Sequence, residues 1–166
     1  MAKVYIKTPK FEELDYRKKL LADEKTMEFN KYWGWIIDFK ESKWSKWYKK
    51  WIENQDPNYF YAYLYRIKDN KPVGEISYYY DKNGDYYKIS IIIEVKYRRK
   101  GYGEEGLKLL IEEAFKKDYS NEIGDNIGFH NKEAQQLFKK LGFKKVGKNK
   151  EFIFYRLKKT DYNQSK

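Results

Sequence analysis

The sequence predicts an α/β (α+β) fold: a central mixed, mostly antiparallel, twisted sheet of six to seven strands flanked by about four helices. Three observations predict it. First, the β-branched run from Ile89 to Val95 reads as a strand packed on both sides, and from Leu107 the apolar residues Leu110, Ile111, Ala114 and Phe115 fall on one helical face. A strand therefore feeds a helix through the basic, glycine-bearing turn at 96–106. Second, three β-patterned segments, 59–68, 72–80 and 86–95, are joined by short turn-rich loops, which implies an antiparallel meander. Third, a second helical pattern at 132–141 is followed by two short strands that can close the chain as a hairpin.

Taken in order, residues 4–7 form a short strand candidate, and after the turn at Thr8 and Pro9 residues 11–21 carry amphipathic helical spacing. Residues 22–40 hold Met27, Phe29, Tyr32, Trp33 and Trp35 without a clean period, and Gly34 interrupts them. Across 41–53, Trp44, Trp47, Tyr48 and Trp51 recur at three- and four-residue intervals, the mark of a helix with one aromatic face. Such a face usually packs a core. Its functional reading is that two helices inserted between the first and second strands wall a substrate cleft. Residues 121–129 form a weaker strand candidate, because Gly124 and Gly128 lower its propensity, and this strand must cross over to lie beside the one ending at Val95. Residues 143–146 and 151–157 make the closing hairpin around 147–150, and 158–166 read as a frayed tail. Without an internal repeat or linker, residues 1–166 are expected to form one domain.

The composition bounds the partners. A chain of 166 residues can bury roughly two thirds of its unfolded surface. It has no cysteine and one histidine, which excludes disulfides and thiolate metal sites, leaves no metal expected, and fits a reducing cytoplasm. Apolar runs are only a few residues long and none follows the lysines of residues 1–10, so neither a membrane span nor a signal peptide is expected. The net charge of +11 suggests an anionic partner, but lysine and the 18 tyrosines are spread along the entire chain, so compositional bias would give the same charge.

Two segments carry chemistry. In the first, Gly101 and Gly103 remove Cβ atoms that would hold a ligand off the main chain, so the unpaired N–H groups of the following helix can reach an anion. The helix dipole favours negative charge there, and Arg98, Arg99 and Lys100 add positive potential. In the second, Asn131 is a good N-cap, Ala134, Leu137, Phe138 and Leu141 form one apolar face, and Gly142 suits the left-handed residue that ends a helix, which packs Phe143 back onto Phe138. Helix grammar alone explains the second segment; its spacing from the first adds meaning.

Together the segments resemble the GNAT superfamily of acetyl-CoA-dependent N-acetyltransferases. Arg98 to Gly103 matches that family's (Gln/Arg)-x-x-Gly-x-(Gly/Ala) cofactor loop. Asn131, Ala134, Leu137, Phe138, Gly142 and Phe143, about thirty residues on, match its Asn-x-x-Ala-x-x-Leu-Tyr-x-x-x-Gly-Phe motif. The order of elements also fits, and the early helical segment with Val73 to Ile76 looks most like the RimJ/RimL branch. The resemblance implies a GNAT-like fold and acetyl-CoA as cosubstrate. Arg98, Arg99, Lys100, Gly101, Tyr102 and Gly103 would hold the pyrophosphate. A bulged strand would diverge from its neighbour, with Ile93 and Val95 offering main-chain groups to pantetheine and the Val95 N–H polarising the acetyl carbonyl. Asn131 would approach pantetheine or the adenosine diphosphate arm. Phe138 stands where the family commonly has a tyrosine acid; it has no proton to give, so it would only pack against the cofactor.

A general base must still free the attacking amine. The candidates are Glu75, within an otherwise apolar strand and ranked first; Glu94, closing the central strand; and His130, at the end of the strand flanking the cleft. Each has an ordinary reading as an ion-paired, solvated or exposed loop residue. Two other functions compete. Gly101, Gly103 and Gly106 spell Gly-x-Gly-x-x-Gly with Asp125 about twenty residues on, as in a dinucleotide site, which would require repeated βαβ units. A nucleic-acid-binding module would concentrate its basic residues on one element, whereas only Lys139, Lys140, Lys144 and Lys145 cluster outside the loop. The expected partner is an amine-bearing acceptor, either a small molecule or a protein N-terminus, rather than a membrane or nucleic acid. A homodimer is allowed.

Overall fold

The computed structural model describes residues 1–117 and 120–164. Seven strands form one sheet in the order β1-β2-β3-β4-β5-β7-β6: β1 Val4–Lys7, β2 Tyr59–Arg66, β3 Lys71–Asp81, β4 Tyr86–Ile93, β5 Glu122–Gly128, β6 Lys144–Lys148 and β7 Phe152–Lys158. The pairings are antiparallel except that of β4 with β5. Among the described residues the βαβ repeats a dinucleotide fold requires are therefore missing, because only one crossover, through α3 (Tyr102–Phe115), joins parallel neighbours.

Strand alternation sorts the two faces of the sheet. Ile76 and Tyr78 of β3, Ile89 of β4 and Ile123 and Ile127 of β5 share one core with Leu107, Leu110, Ile111 and Ala114 of α3 and with Phe138 of α4 (Lys132–Lys140). Gly106 lets α3 lie close: a Cβ there would stand 2.7 Å from Leu64 Cδ2. On the opposite face, Tyr61, Tyr63 and Tyr65 of β2 pack beneath Trp47 and Trp51. Leu14, Leu21, Met27 and Phe39, with α1 (Asp15–Ala22), complete that layer.

The aromatic segment at 41–53 is helical throughout, though not uniformly. A 3₁₀ turn, Glu41–Lys43, leads into α2 (Trp44–Tyr48), which widens into a π turn, Lys49–Glu53, with the Asn54 N–H donating to the Lys49 carbonyl at 2.9 Å. The widening keeps Trp47 and Trp51 stacked, with ring centroids 6.1 Å apart, above the tyrosines of β2. Residues 22–40, which lack a clean period, contain the 3₁₀ segment Glu28–Trp33 stopped by Gly34 at φ 99°.

Two expectations need correction. The expected frayed tail is ordered over Lys159–Gln164 as α5, because Tyr162 packs its ring on Phe115 at 5.5 Å; residues 165–166 lie outside the described residues. The expected bulge in the central strand is not in β4, which pairs with β3 in unbroken register from Gly74↔Ile93 to Asp81↔Tyr86. Register shifts lie instead between β2 and β3, at Leu64 and Tyr65, where Val73 is the extra residue, and between β6 and β7, at Lys145 and Gly147.

Candidate active site

The site begins where β4 and β5 part. They pair only at Tyr87↔Ile123 and Lys88↔Gly124, whereas β5 stays paired with β7 along its entire length, from Glu122↔Lys158 to Gly128↔Phe152. β4 follows β3 and β5 follows β7, so a gap opens between parallel neighbours. It holds a cavity of about 710 Å³ that reaches both faces of the sheet. The Glu94 N–H donates to Val73 on β3 at 2.9 Å, so even-numbered residues of β4 spend their main-chain groups on β3, while Ile91 and Ile93 turn theirs to the gap.

At the mouth of the gap, Gly101 begins α3 with φ 86°, and the first helical hydrogen bond is Glu105 N–H to the Gly101 carbonyl at 3.2 Å. The N–H groups of Tyr102, Gly103 and Glu104 thus precede any intrahelical acceptor. A Cβ built on Gly103 would meet only Ile93 Cγ1, at 3.7 Å, so this flank of the helix end is open to the cavity. Residues and cavity therefore fit a pyrophosphate on the helix end with an extended arm in the gap.

Of the residues expected to hold the cofactor, Ile93, Arg98, Arg99, Gly101 and Gly103 line one wall, and Asn131 and Phe138 the other. Asn131 caps α4, its Oδ1 accepting the Ala134 N–H at 3.1 Å, and Phe138 lies buried against Phe143 with centroids 4.6 Å apart. Gly142, at φ 95°, ends that helix in the left-handed conformation expected. Three candidates are not on the cavity wall. The Tyr102 ring turns into the core beside Val4 and Leu64, Lys100 is exposed, and Val95 sits past the strand in a 3₁₀ turn, Val95–Tyr97. The Val95 N–H is already donated, to Thr26 Oγ1 at 3.1 Å. Thr26 also receives Arg98 Nη2 on its carbonyl at 2.6 Å, while Arg98 Nε donates to the Ile93 carbonyl at 3.0 Å. Arg98 is thus a clamp on the parted strand; its burial lowers its pKa.

The proposed bases are dispersed. Glu75 lines the cavity but is 5% exposed and carries three hydrogen bonds, two from Arg17 Nη1 at 2.8 and 2.6 Å and one from the Tyr61 hydroxyl. The Arg17 guanidinium lies 4.6 Å from the Trp47 ring centroid and 4.8 Å from that of Phe39. Burial works against its charge, and Glu75 overrides it, holding the guanidinium protonated; burial and the Glu75 charge also push Tyr61 well up. Glu94 faces a separate hollow with Tyr16, whose hydroxyl it accepts at 3.2 Å. His130 is exposed and stacks on Phe29 at 5.7 Å, off the cavity wall.

A carboxylate that sequence reasoning used only for the rival dinucleotide reading, Asp125, is on the wall. It is the first β5 residue past the last pairing with β4. Desolvation pushes its pKa up to about 7, against the lowering influence of Lys88, the Asn126 N–H and Arg156. Its only sequence signal was an acid in an apolar-alternating strand, on the parity of Ile123 and Ile127. Thr26, the other residue missed, had no signal at all.

The sheet thus parts between two parallel strands, with a glycine-opened helix end at the mouth of the gap. The chain belongs to the acetyltransferase (GNAT) domain family, whose profile matches residues 5–144. Solved structures agree on the fold. A spermidine N-acetyltransferase from Vibrio cholerae, in complex with CoA and spermine, superposes with a TM-score of 0.80 at 12% identity, covering 97% of this chain and 98% of that one. A GNAT-family acetyltransferase from Bacillus anthracis gives 0.75 at 17% identity, covering 95% of each chain. A Vibrio cholerae protein provisionally described as a ribosomal-protein-serine acetyltransferase gives 0.70 at 15%, again covering 95% of each. No curated protein sequence is similar enough to match the chain.

Proposed function

We propose that this protein is an N-acetyltransferase that moves the acetyl group of acetyl-CoA to a primary amine, of a small molecule or a protein N-terminus, by direct attack in a ternary complex. The observation that carries the reading is the gap between β4 and β5 leading from the open helix end at Gly103 to the opposite face of the sheet. Acetyl-CoA supplies an activated thioester. The protein's part is to hold and orient it: the N–H groups of Gly103 and Glu104, with Arg99 alongside, bind the pyrophosphate, and the gap-facing main chain of Ile91 and Ile93 pairs with the pantetheine amides. Because the Val95 N–H is committed to Thr26, the Ile91 N–H is the donor we assign to the acetyl carbonyl, where negative charge develops. Phe138 packs against the arm. The helical insertion at 11–53 and the V. cholerae relative support a place near the RimJ/RimL branch, and the lack of cysteine supports a cytoplasmic setting.

Thermal unfolding with and without excess acetyl-CoA, coenzyme A, NADH or a short oligonucleotide, each at two salt concentrations, tests this reading. A ligand at a hundred times its dissociation constant stabilises by about 2.7 kcal/mol, which moves the midpoint of a domain this size by roughly 5–10 °C. A shift with both coenzyme A species, followed by amine-dependent thiol release, is the expected result. A shift with NADH or oligonucleotide alone would instead make this an oxidoreductase or a nucleic-acid-binding module.

A further inference from the structure

The charges on the cavity wall divide by face. Glu104 in the first turn of α3 and Glu133 in the first turn of α4 stand on the side where those helices pack, and Glu104 is salt-bridged to Lys140 of α4 at 2.8 Å. Asp125, on the parity of the core residues Ile123 and Ile127, faces the same side. Arg98 and Arg99 belong to the turn before α3. The opposite face, under the tryptophans, keeps Arg17 and Glu75, which are spent on each other at 2.6 Å, and Lys88.

The position of Lys88 is fixed by its neighbours. It pairs with Tyr79 across β4 and β3, so the two side chains share a face, and the Tyr79 ring meets that of Trp51 at 6.4 Å. On the β7 side, the Lys88 Nζ lies 6.0 Å from the ring centroid of Trp33, which stacks at 4.5 Å on Phe152. Trp33, Trp51 and Tyr79 all line the cavity, so the ammonium sits between aromatic surfaces. Among the described residues no carboxylate lies within ion-pair distance of it; Asp125 feels its charge only from beyond that range. Next along the same face, Ser90 pairs with Ser77, so the floor beside Lys88 is short and leaves room for a flat group.

From this arrangement we propose that the acceptor is a small amine that also carries a carboxylate on an aromatic or apolar body, the carboxylate set on Lys88 and the body between the Trp51 and Trp33 rings. The inference rests on the acetyltransferase reading above and narrows its acceptor. A half-buried ammonium without a counter-charge favours an anion that brings one, and a hydrogen bond between two ionised groups is the stronger kind. A carboxylate, singly charged and flat, matches one lysine held between aromatic faces. Ile91, whose N–H is assigned to the acetyl carbonyl, lies three residues further along β4, about 10 Å away. The flexible lysine stem shortens that span, so amine and carboxylate fall at two ends of a compact molecule. A polycation such as spermine, bound by the V. cholerae relative, would instead set an ammonium beside Lys88, with like charges opposed.

The test pairs phenylalanine with phenethylamine and para-(aminomethyl)benzoate with benzylamine, each pair sharing a body and differing in the carboxylate, and adds spermidine as a polycation. With the full chain and acetyl-CoA, the carboxylate member of at least one pair should show a kcat/KM about tenfold or more above its partner and above spermidine. Lys88→Met should bring that ratio close to one and weaken calorimetric binding of the preferred probe in the presence of coenzyme A, while keeping the thermal shift with acetyl-CoA. Lys88→Arg, which keeps the charge, should retain the preference. Equal or better turnover of the partners without a carboxylate, or of spermidine, would overturn the acceptor class, as would no turnover of either carboxylate probe by a protein that shows the acetyl-CoA shift. A folded Lys88→Met with the wild-type ratio would overturn the role of Lys88; the wild-type comparison decides the acceptor class even if that variant does not fold. Absence of the acetyl-CoA shift in the wild type would instead remove the acetyltransferase reading on which the proposal rests.

Discussion

Replacing Gly103 with alanine should raise the stability of the protein and lower its affinity for acetyl-CoA, two effects of opposite sign from one methyl group. The stability gain follows from position. Gly103 lies in the first turn of α3, its φ is not in the left-handed region, and the added Cβ would meet nothing nearer than Ile93 Cγ1 at 3.7 Å, an ordinary contact. Nothing has to move, so the change captures most of the difference in helix propensity between glycine and alanine, about 0.5–1 kcal/mol. For a chain this long that is roughly 1–4 °C in midpoint. The affinity loss follows from where the methyl points. It enters the space through which the N–H groups of Gly103 and Glu104 would reach the pyrophosphate. Lengthening one or two charge-assisted hydrogen bonds, at about 1.5–3 kcal/mol each, weakens binding by tenfold to a thousandfold. Valine at this position should do the same more severely. Scanning calorimetry of wild type, Gly103→Ala and Gly103→Val, each titrated with acetyl-CoA, reads both effects together. A folded Gly103→Val that binds acetyl-CoA with wild-type affinity would refute the cradle, whatever its melting point.

Three further outcomes follow from the site. Asp125 has a folded-state pKa raised from 3.8 to about 7, so the native state binds more protons than the unfolded state between those values. Stability should therefore fall as pH rises from about 4 to 7, by at most about 4 kcal/mol, and Asp125→Asn should abolish that slope in melts recorded from pH 5 to 8. Glu75→Gln leaves the Arg17 guanidinium buried without its counter-charge, and should cost about 3–5 kcal/mol in denaturant unfolding; a variant that melts like wild type would show that the pair carries no weight. Phe138→Tyr supplies the proton donor the wild type lacks at that position, and turnover should rise if thiolate protonation limits the rate; unchanged kcat would put the slow step elsewhere.

What was legible in the sequence was whatever short-range patterning fixes. The glycine turn into α3, the cap at Asn131, the left-handed Gly142 and the meander are each set by residues within a few positions of one another, and all appear where expected. The split between β4 and β5 is a different kind of fact. It depends on β4 following β3 while β5 follows β7, and no local pattern states where two strands distant in sequence stop pairing. The same reason hid Thr26, which reaches Val95 and Arg98 across about seventy residues of chain.

The carboxylates illustrate the limit most clearly, because Glu75 and Asp125 look alike as letters: one acid each in an otherwise apolar strand. Their surroundings differ: Glu75 is buried, whereas Asp125 is half-buried on the cavity wall. Glu75 points to the face where α1 brings Arg17 and β2 brings Tyr61, so its charge is balanced by two donor groups making three hydrogen bonds, and its oxygens are committed. Asp125 is on the parity of the core residues Ile123 and Ile127, and a carboxylate there would ordinarily be excluded. It persists because the parted strand leaves it on a cavity wall rather than inside a closed core, with the Asn126 N–H as its hydrogen-bond donor. A fold selected for stability alone would have closed β4 onto β5 and made residue 125 apolar. On the proposed reading, the gap and the acid beside it have one explanation: both serve the cofactor that enters between the strands.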